Sequence, residues 1–378
     1  MLKKMDKWLL LFSLVLFAVG LVMVFSASNI AAFMRYEASP YRFVLKQGLF
    51  LFVSLIFSLF VIKVSTRGYG ILSWPIMIGF TALLGFVLIY GKTTNQATSW
   101  IAFGGFTLQP SEFIKVTSII WVAAFYESQK DKLNSYLTSL FPIAICMISF
   151  LLIVLQPDLG TALIYGFIIV FIFFIAPIEK QIKLKTIGII LGFAFIGGVV
   201  LLNSGKDLVS ERQLSRFDFA KPCSEEKFYT DGNQVCNAYI AVNNGGAFGK
   251  GLGNSTQKYL YLPEAHTDFI FAILLEELGL VAGIGVIILY TLVLARIIIT
   301  GKRSYNNRNA IICYGIAFYI FLHIVVNLMG IFGMMPMTGV PLPFMSYGGS
   351  FTLCLVTALT IVQKISIENK SFEEKINN

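Results

Sequence analysis

Charge is scarce in this sequence: Asp, Glu, Lys and Arg make up 13% of its 378 residues, about half the share of a soluble globular chain. Hydrophobic residues reach 57%, aromatics 15%, and mean hydropathy is +0.78. These values exclude a disordered chain, a collagen-like chain and an ordinary cytosolic enzyme. Histidine occurs twice, which excludes a His-rich metal site, and none of the five cysteines lies in a Cys-x-x-Cys pair. There is no short tandem repeat and no low-complexity tract. What remains is a polytopic α-helical membrane protein. The net charge of +9 then reflects basic residues at the ends of membrane spans rather than a nucleic-acid surface.

In lipid every backbone amide must be paired within its own segment, so a long apolar run is a helix, and about 20 residues cross the hydrocarbon. About ten runs qualify, at roughly 8–26, 47–64, 71–90, 112–126, 137–155, 159–177, 186–202, 268–295, 310–333 and 349–364. Phe25-Ser-Ala-Ser follows the first, yet so do nine more spans, which favours an uncleaved helix over a signal peptide. With the N-terminus inside, seventeen Lys and Arg fall in inner segments, among them Lys3, Lys4, Lys7, Arg296 and Arg303. The short outer loops hold four: Arg35, Arg42, Lys46 and Lys92. That bias places both termini in the cytoplasm. The expected architecture is one all-α membrane domain over 1–378, with a large outer loop at 203–267 before the eighth helix and a cytoplasmic tail at 365–378. Short helices are expected in the loop. Its Cys223 and Cys236 face the oxidising side and are disulfide candidates. Cys146, Cys313 and Cys354 read as small apolar fillers.

Polar residues in apolar runs carry the functional signal, because an ionised group at mid-membrane costs about 2.5–3.5 kcal/mol on the insertion scale. Glu112 and Lys115, spaced i, i+3 in Gln109-Pro-Ser-Glu-Phe-Ile-Lys115, can pair structurally or line a cavity. Asp158, in Gln156-Pro-Asp-Leu-Gly160, can cap a helix or face a site. Asp268 follows Pro263-Glu-Ala-His266-Thr267 and opens the apolar run from Phe269 to Leu275. A carboxylate at that boundary is partly desolvated and a stronger base, or else it caps the helix. Glu276, about two turns further and about 80° round, can share a cavity with Asp268, whereas Glu277 points the opposite way. His266 reads as a hydrogen-bonding neighbour. The uncharged Pro- and Gly-rich stretch 336–350, containing Ser346, is a tight turn or a re-entrant wall.

These blocks, in this order, resemble the SEDS family (shape, elongation, division and sporulation; the FtsW/RodA/SpoVE group). The matching text includes Gln109 to Lys115, Gln156 to Gly160, Gly245-Gly-Ala-Phe-Gly-Lys-Gly-Leu-Gly253, Tyr261 to Ala272 and Pro341-Leu-Pro-Phe-Met-Ser-Tyr-Gly-Gly349. The likeness runs from about residue 8 to 365. It implies a peptidoglycan glycosyltransferase of the bacterial cytoplasmic membrane that polymerises lipid II into β-1,4 glycan and releases undecaprenyl pyrophosphate. It also implies a class B penicillin-binding protein as partner, beside other division or elongation membrane proteins, and no nucleic acid. Asp268 matches the aspartate the family needs, and it suits a general base. Trp100, Glu112, Lys115, Asp158, His266, Glu276 and Ser346 match positions around the same outer cavity. Trp100 can stack on a sugar or anchor at the interface.

No organic cofactor is implied. Positive charge near the phosphates is expected from Lys115 or a divalent cation, Mg²⁺ or Mn²⁺. The family often has a basic residue where this chain has Ser99, and the segment from Cys223 to Cys236 departs from the common form. Gly251-Leu-Gly-Asn-Ser255 favours the division-type, FtsW-like branch and hence the division septum, while Thr338-Gly-Val-Pro-Leu-Pro343 is nearer the elongation type. Two rival functions are a lipid II flippase and a non-catalytic divisome scaffold. Neither accounts as simply for an acid at the mouth of an apolar helix.

Overall fold

The computed structural model describes residues 2–94, 97–103, 106–189, 192, 222–224, 228 and 232–377. Helices α1 (Lys7–Met34), α2 (Arg42–Val61) and α3 (Thr66–Tyr90) lead to a small antiparallel sheet, β1 (Lys92–Thr94), β2 (Ala97–Phe103) and β3 (Phe106–Leu108), in the order β1-β2-β3. Then come α4 (Pro110–Ser128), α5 (Tyr136–Leu155) and α6 (Leu159–Ile175). After a helical stretch at 180–189 follow α7 (Asn233–Gly245), α8 (Ile270–Lys302), α9 (Asn307–Ile331) and α10 (Gly349–Asn377). Seven of these, α1, α2, α3, α5, α8, α9 and α10, are by themselves long and apolar enough to cross a membrane. The run expected at 186–202 lies mostly outside the described residues.

The helices begin where polar caps allow it. Asp6, Ser65, Asp158 and Asn306 each accept a hydrogen bond from a backbone N–H of the following first turn. The packing then follows lipid logic. On α2, Phe43, Gln47 and Ser54 are buried on one face, whereas Leu45, Leu49, Phe52 and Leu59 are exposed. Helix α4 is the opposite case. It packs against α3, α6, α9 and α10 and is buried on nearly every side, so a 19-residue helix carrying Glu112 and Lys115 has no bilayer to meet.

Helix α8 breaks at Gly279 (φ 81°, ψ 175°). In lipid the opened backbone groups need partners inside the protein, and the glycine-rich strap 246–251 supplies them. The N–H groups of Lys250 and Gly251 donate to the carbonyls of Glu276 and Glu277 (3.0 and 2.9 Å), and those of Leu280 and Val281 donate to Gly246 and Ala247 (3.0 and 3.1 Å). The approach is so close that a Cβ at Gly245, Gly249 or Gly279 would run into the opposing backbone. Beside the strap, the buried Lys258 pairs with Glu277 (2.9 Å), which also accepts from Ser26 of α1 (2.6 Å).

Both chain ends meet at one end of the bundle, the terminal face. Asp6 pairs with Arg296 (2.6 Å), Gln363 brackets the Asp6 backbone (2.8 and 2.9 Å), and Lys4 pairs with Glu374. The expected tail at 365–378 is no free extension: α10 continues to Asn377, with Ile365, Ile367 and Asn369 buried. In the loop, Cys223 is disulfide-bonded to Cys236 of α7, their Cα atoms 5.1 Å apart.

Removing one partner of a buried ion pair leaves an uncompensated charge, at a cost of about 3–5 kcal/mol, whereas removing both is far milder. Lys258→Met is therefore expected to lower the unfolding midpoint in mild detergent sharply, and adding Glu277→Gln to recover most of the loss. A double variant no more stable than the single one would show that the pair is not what holds the strap to α1.

Candidate active site

At the end of the bundle opposite the termini, two irregular segments meet. The first, residues 262–269, enters α8. Glu264 takes a left-handed φ of 54°, and its carbonyl accepts from the N–H groups of Thr267 and Asp268 (3.2 and 3.1 Å). The second, residues 332–348, dips between the helices before α10 begins. The Phe344 carbonyl lies against Gly20 in mid-α1, and the Pro343 carbonyl accepts from the Tyr290 hydroxyl in mid-α8 (2.5 Å). This is the re-entrant wall, and its backbone groups are paired from inside the bundle.

Two direct hydrogen bonds and one bridging side chain join the two segments. Asn327 of α9 donates to the carbonyls of Asp268 and Val340 (2.8 and 2.9 Å). The Ser346 hydroxyl donates to the Thr267 carbonyl (2.6 Å) and accepts from the Leu342 N–H (2.8 Å). The Tyr347 N–H donates to the His266 carbonyl (3.0 Å). Gly339 then faces Asp268 with no side chain between them; a Cβ there would sit 3.5 Å from Oδ2. Thr338 packs on Gly160, so the wall also spans to the start of α6.

Among the described residues, Asp268 differs from every other buried or half-buried acid. Among the described residues, Asp6, Glu112, Glu127, Asp158, Glu264, Glu276, Glu277 and Glu368 each accept at least one hydrogen bond. The Asp268 carboxylate accepts none, yet it keeps a solvent-facing edge. Burial, helped by the neighbouring Glu264 carboxylate, pushes its carboxyl up to about 7. Burial pushes the His266 imidazole the other way, below its ordinary value, and the ring packs on Phe43 at 4.5 Å.

The other candidates divide into three groups. Asp158 caps α6 through the Thr161 N–H and accepts from Gln109 (both 3.2 Å), half-exposed at the same end of the bundle. Trp100, half-buried, lies on β2 opposite Lys92, in the hairpin whose Thr107 carbonyl accepts from Ser350 at the head of α10. These two share the Asp268 end. Glu112 and Lys115 pair at 2.8 Å deep inside the bundle, with Lys115 fully buried. Glu276 is placed under the strap, accepting from Ser255, Thr256, Asn244 and Lys250, rather than beside Asp268. Ser346 is spent on backbone groups.

Sequence reasoning passed over Arg35 and Arg42, counting them only as outer charges. Their guanidiniums flank the Tyr36 ring at 5.7 and 5.9 Å, and Tyr36 stacks edge-on against Phe43, the ring under His266. Both are exposed and lead to His266 through Tyr36 and Phe43. His323 and Asn327 were also missed, since both sit in an apolar run whose sequence gives no sign of the wall they support. No group of three His, Cys, Asp or Glu side chains suited to a metal ion occurs among the described residues.

Residues 7–371 match the model of the FtsW/RodA/SpoVE family, cell cycle proteins. The chain is 35% identical to the "probable peptidoglycan glycosyltransferase FtsW" of Bacillus subtilis, covering 99% of this chain and 94% of the relative. It is 34% identical to stage V sporulation protein E of the same organism, covering 96% of each. Among solved structures, a chain from a peptidoglycan synthase complex that coordinates polymerization and crosslinking superposes with a TM-score of 0.76 at 23% identity, covering 97% of this chain and 98% of that one. The rod shape determining protein RodA of Thermus thermophilus gives 0.66 at 22% identity, covering 96% of each.

A carboxyl raised by the fold makes the fold less stable once it ionises. Below the ordinary aspartate value of 3.8 both states are protonated and the effect is absent; it grows with pH and is complete above about 7. Asp268→Asn is thus expected to melt higher than the parent at pH 8 and level with it below pH 4. Equal melting at both pH values would remove the strained carboxylate.

Proposed function

The chain belongs to the FtsW/RodA/SpoVE family, of FtsW-like type, and is a peptidoglycan glycosyltransferase of the membrane; we propose that Asp268 is its general base and lipid II its substrate. The observation that carries this is the unpartnered, solvent-edged Asp268 carboxylate with a proton affinity near neutrality. A base is most effective when its pKa lies near the working pH and no donor competes for its lone pairs.

In the proposed step, Asp268 takes the proton from the 4-hydroxyl of the acceptor GlcNAc as that oxygen attacks C1 of the donor MurNAc. The bond from C1 to the undecaprenyl pyrophosphate breaks, and the electron pair leaves with the phosphate. The α-linked donor becomes a β-1,4 linkage, with no covalent enzyme intermediate and no strong general acid. The leaving group needs positive charge. Lys115 is sealed inside the bundle, so Arg35 and Arg42, exposed at the Asp268 end, take that role here. Mg²⁺ or Mn²⁺, if bound, would add positive charge at the leaving phosphates. Trp100 and Asp158, at the same end of the bundle, are the proposed sugar contacts.

The work is proposed to be in cell division, at the septum, with a class B penicillin-binding protein cross-linking the product. Both termini then lie in the cytoplasm, and Asp268 faces outward, where lipid II presents its sugars. A reporter active only in the cytoplasm, fused to the C-terminus, is expected to be active; a silent but intact fusion would reverse the orientation.

Loss of one general base costs about 10²–10⁴-fold in rate. Purified chain with its cognate penicillin-binding protein and labelled lipid II should give a glycan ladder that Asp268→Asn reduces by that factor. The rate of the parent should rise with pH through a limb centred near 7. An undiminished ladder from the folded variant would remove Asp268 as the base, and with lipid II crossing vesicles it would favour a flippase.

A further inference from the structure

Two polar side chains of α9, His323 and Asn327, lie one turn apart on a single helix face and are fully buried. Asn327 ties the Asp268 backbone to Val340 of the wall (2.8 and 2.9 Å). His323 contacts the next residue of the wall: its Nδ1 is 3.3 Å from the Pro341 carbonyl. On its other side, Nε2 is 3.0 Å from the Lys115 ammonium. An ammonium has donors and no acceptor, and so does a doubly protonated imidazole. Nε2 must therefore accept from Lys115, which leaves the single ring proton on Nδ1, aimed at Pro341. The ring is wedged between Tyr319 (4.8 Å) and Phe351 (4.7 Å), and Lys115 is anchored by Glu112 (2.8 Å). Glu112, Lys115 and Tyr319 are the titratable groups that face it.

We propose that His323 and Asn327 are positioning residues for Asp268: His323 hangs Pro341 from the buried Glu112–Lys115 pair, and Asn327 ties Val340 to the Asp268 backbone, so that the two hold the wall beside Gly339 against the carboxylate. This rests on Asp268 being the base. The role of the buried pair is then to orient His323. A lysine beside the ring fixes which nitrogen carries the proton, and that choice decides whether Pro341 receives a donor or meets a lone pair. Without the two tethers, the Gly339 backbone is free to move relative to Oδ2, and a displacement of about 1 Å at a reacting group costs on the order of 10²-fold in rate.

Glutamine supplies a useful contrast. Its amide presents one acceptor and one donor about as far apart as the two ring nitrogens, so His323→Gln can keep both bonds, whereas His323→Leu keeps neither. In the lipid II assay with the full chain and its partner, His323→Leu and Asn327→Leu are expected to lower kcat on the order of 10–100-fold, with KM within about twofold of the parent. His323→Gln should return to within about threefold of the parent, since it restores both hydrogen bonds. A folded His323→Leu with parental kcat, or a His323→Gln as impaired as His323→Leu, would overturn the proposal. The second readout needs no activity. The chain has only two histidines, so ¹⁵N-histidine labelling gives two ring systems, and His323→Gln assigns them. His323 should be neutral with its proton on Nδ1 at pH 7, and should change on Lys115→Met. An Nε2–H tautomer or an imidazolium would overturn the proposal even if His323→Leu were inactive. Asp268→Asn run in parallel separates the two levels: a ladder that survives Asp268→Asn defeats the base assignment, whatever the histidine spectrum shows.

Discussion

An irregular backbone inside a membrane protein has to find every hydrogen-bond partner within the protein, and this requirement organises the molecule. Residues 332–348 leave helical geometry and dip to the level of Gly20 and Tyr290. Where the segment is buried, at residues 342–346, water is not there to satisfy its amides and carbonyls. The polar residues scattered through α2, α8 and α9 answer that need: Gln47 receives Gly348, Tyr290 serves Pro343, His323 serves Pro341 and Asn327 serves Val340. The same rule explains the strap 246–251, which completes the backbone of α8 where Gly279 opens it.

Against that background Asp268 is the exception. Elsewhere the fold surrounds its acids with donors, most thoroughly at Glu276 and Glu277. Each of those carboxylates has its lone pairs already engaged by donors. Asp268 receives nothing, and its neighbours are a glycine and another acid. The wall supplies this environment by presenting backbone without a side chain, which leaves room for a substrate hydroxyl where a donor would otherwise sit. In the proposed mechanism the reactivity of Asp268 comes from withholding a hydrogen bond, and the surrounding bonds keep that gap in place.

The bundle was legible in the sequence because apolar length is an average over many residues. Nine of the expected runs correspond to described helices, and Glu112 with Lys115 was readable as a pair because i, i+3 spacing fixes proximity within one helix. Asp268 was legible through its position at the mouth of an apolar run. Glu276 was not, since the helical angle between it and Asp268 says nothing of the strap that closes over it from residues 244–258. Arg35 and Arg42 escaped because nothing in the sequence joins the Tyr36 ring they flank to Phe43 and His266. His323 and Asn327 escaped for the same reason as Glu276: their partners Lys115 and Asp268 lie 208 and 59 positions away, and only tertiary packing brings them together.

The joined chain ends have a bearing on biogenesis. Helix α1 leaves the ribosome before every helix it is bonded to. Its Ser26 waits for Glu277, its cap Asp6 waits for Arg296, and the Asp6 backbone waits for Gln363. Contacts this far apart in sequence form slowly and leave early segments unfinished. For most of translation, then, the first helix sits in the bilayer with a hydroxyl and a carboxylate still seeking partners, and the bundle closes only when the last helix arrives. An arrest or truncation late in synthesis would release a protein whose first span, not its last, is the one left exposed to membrane quality control.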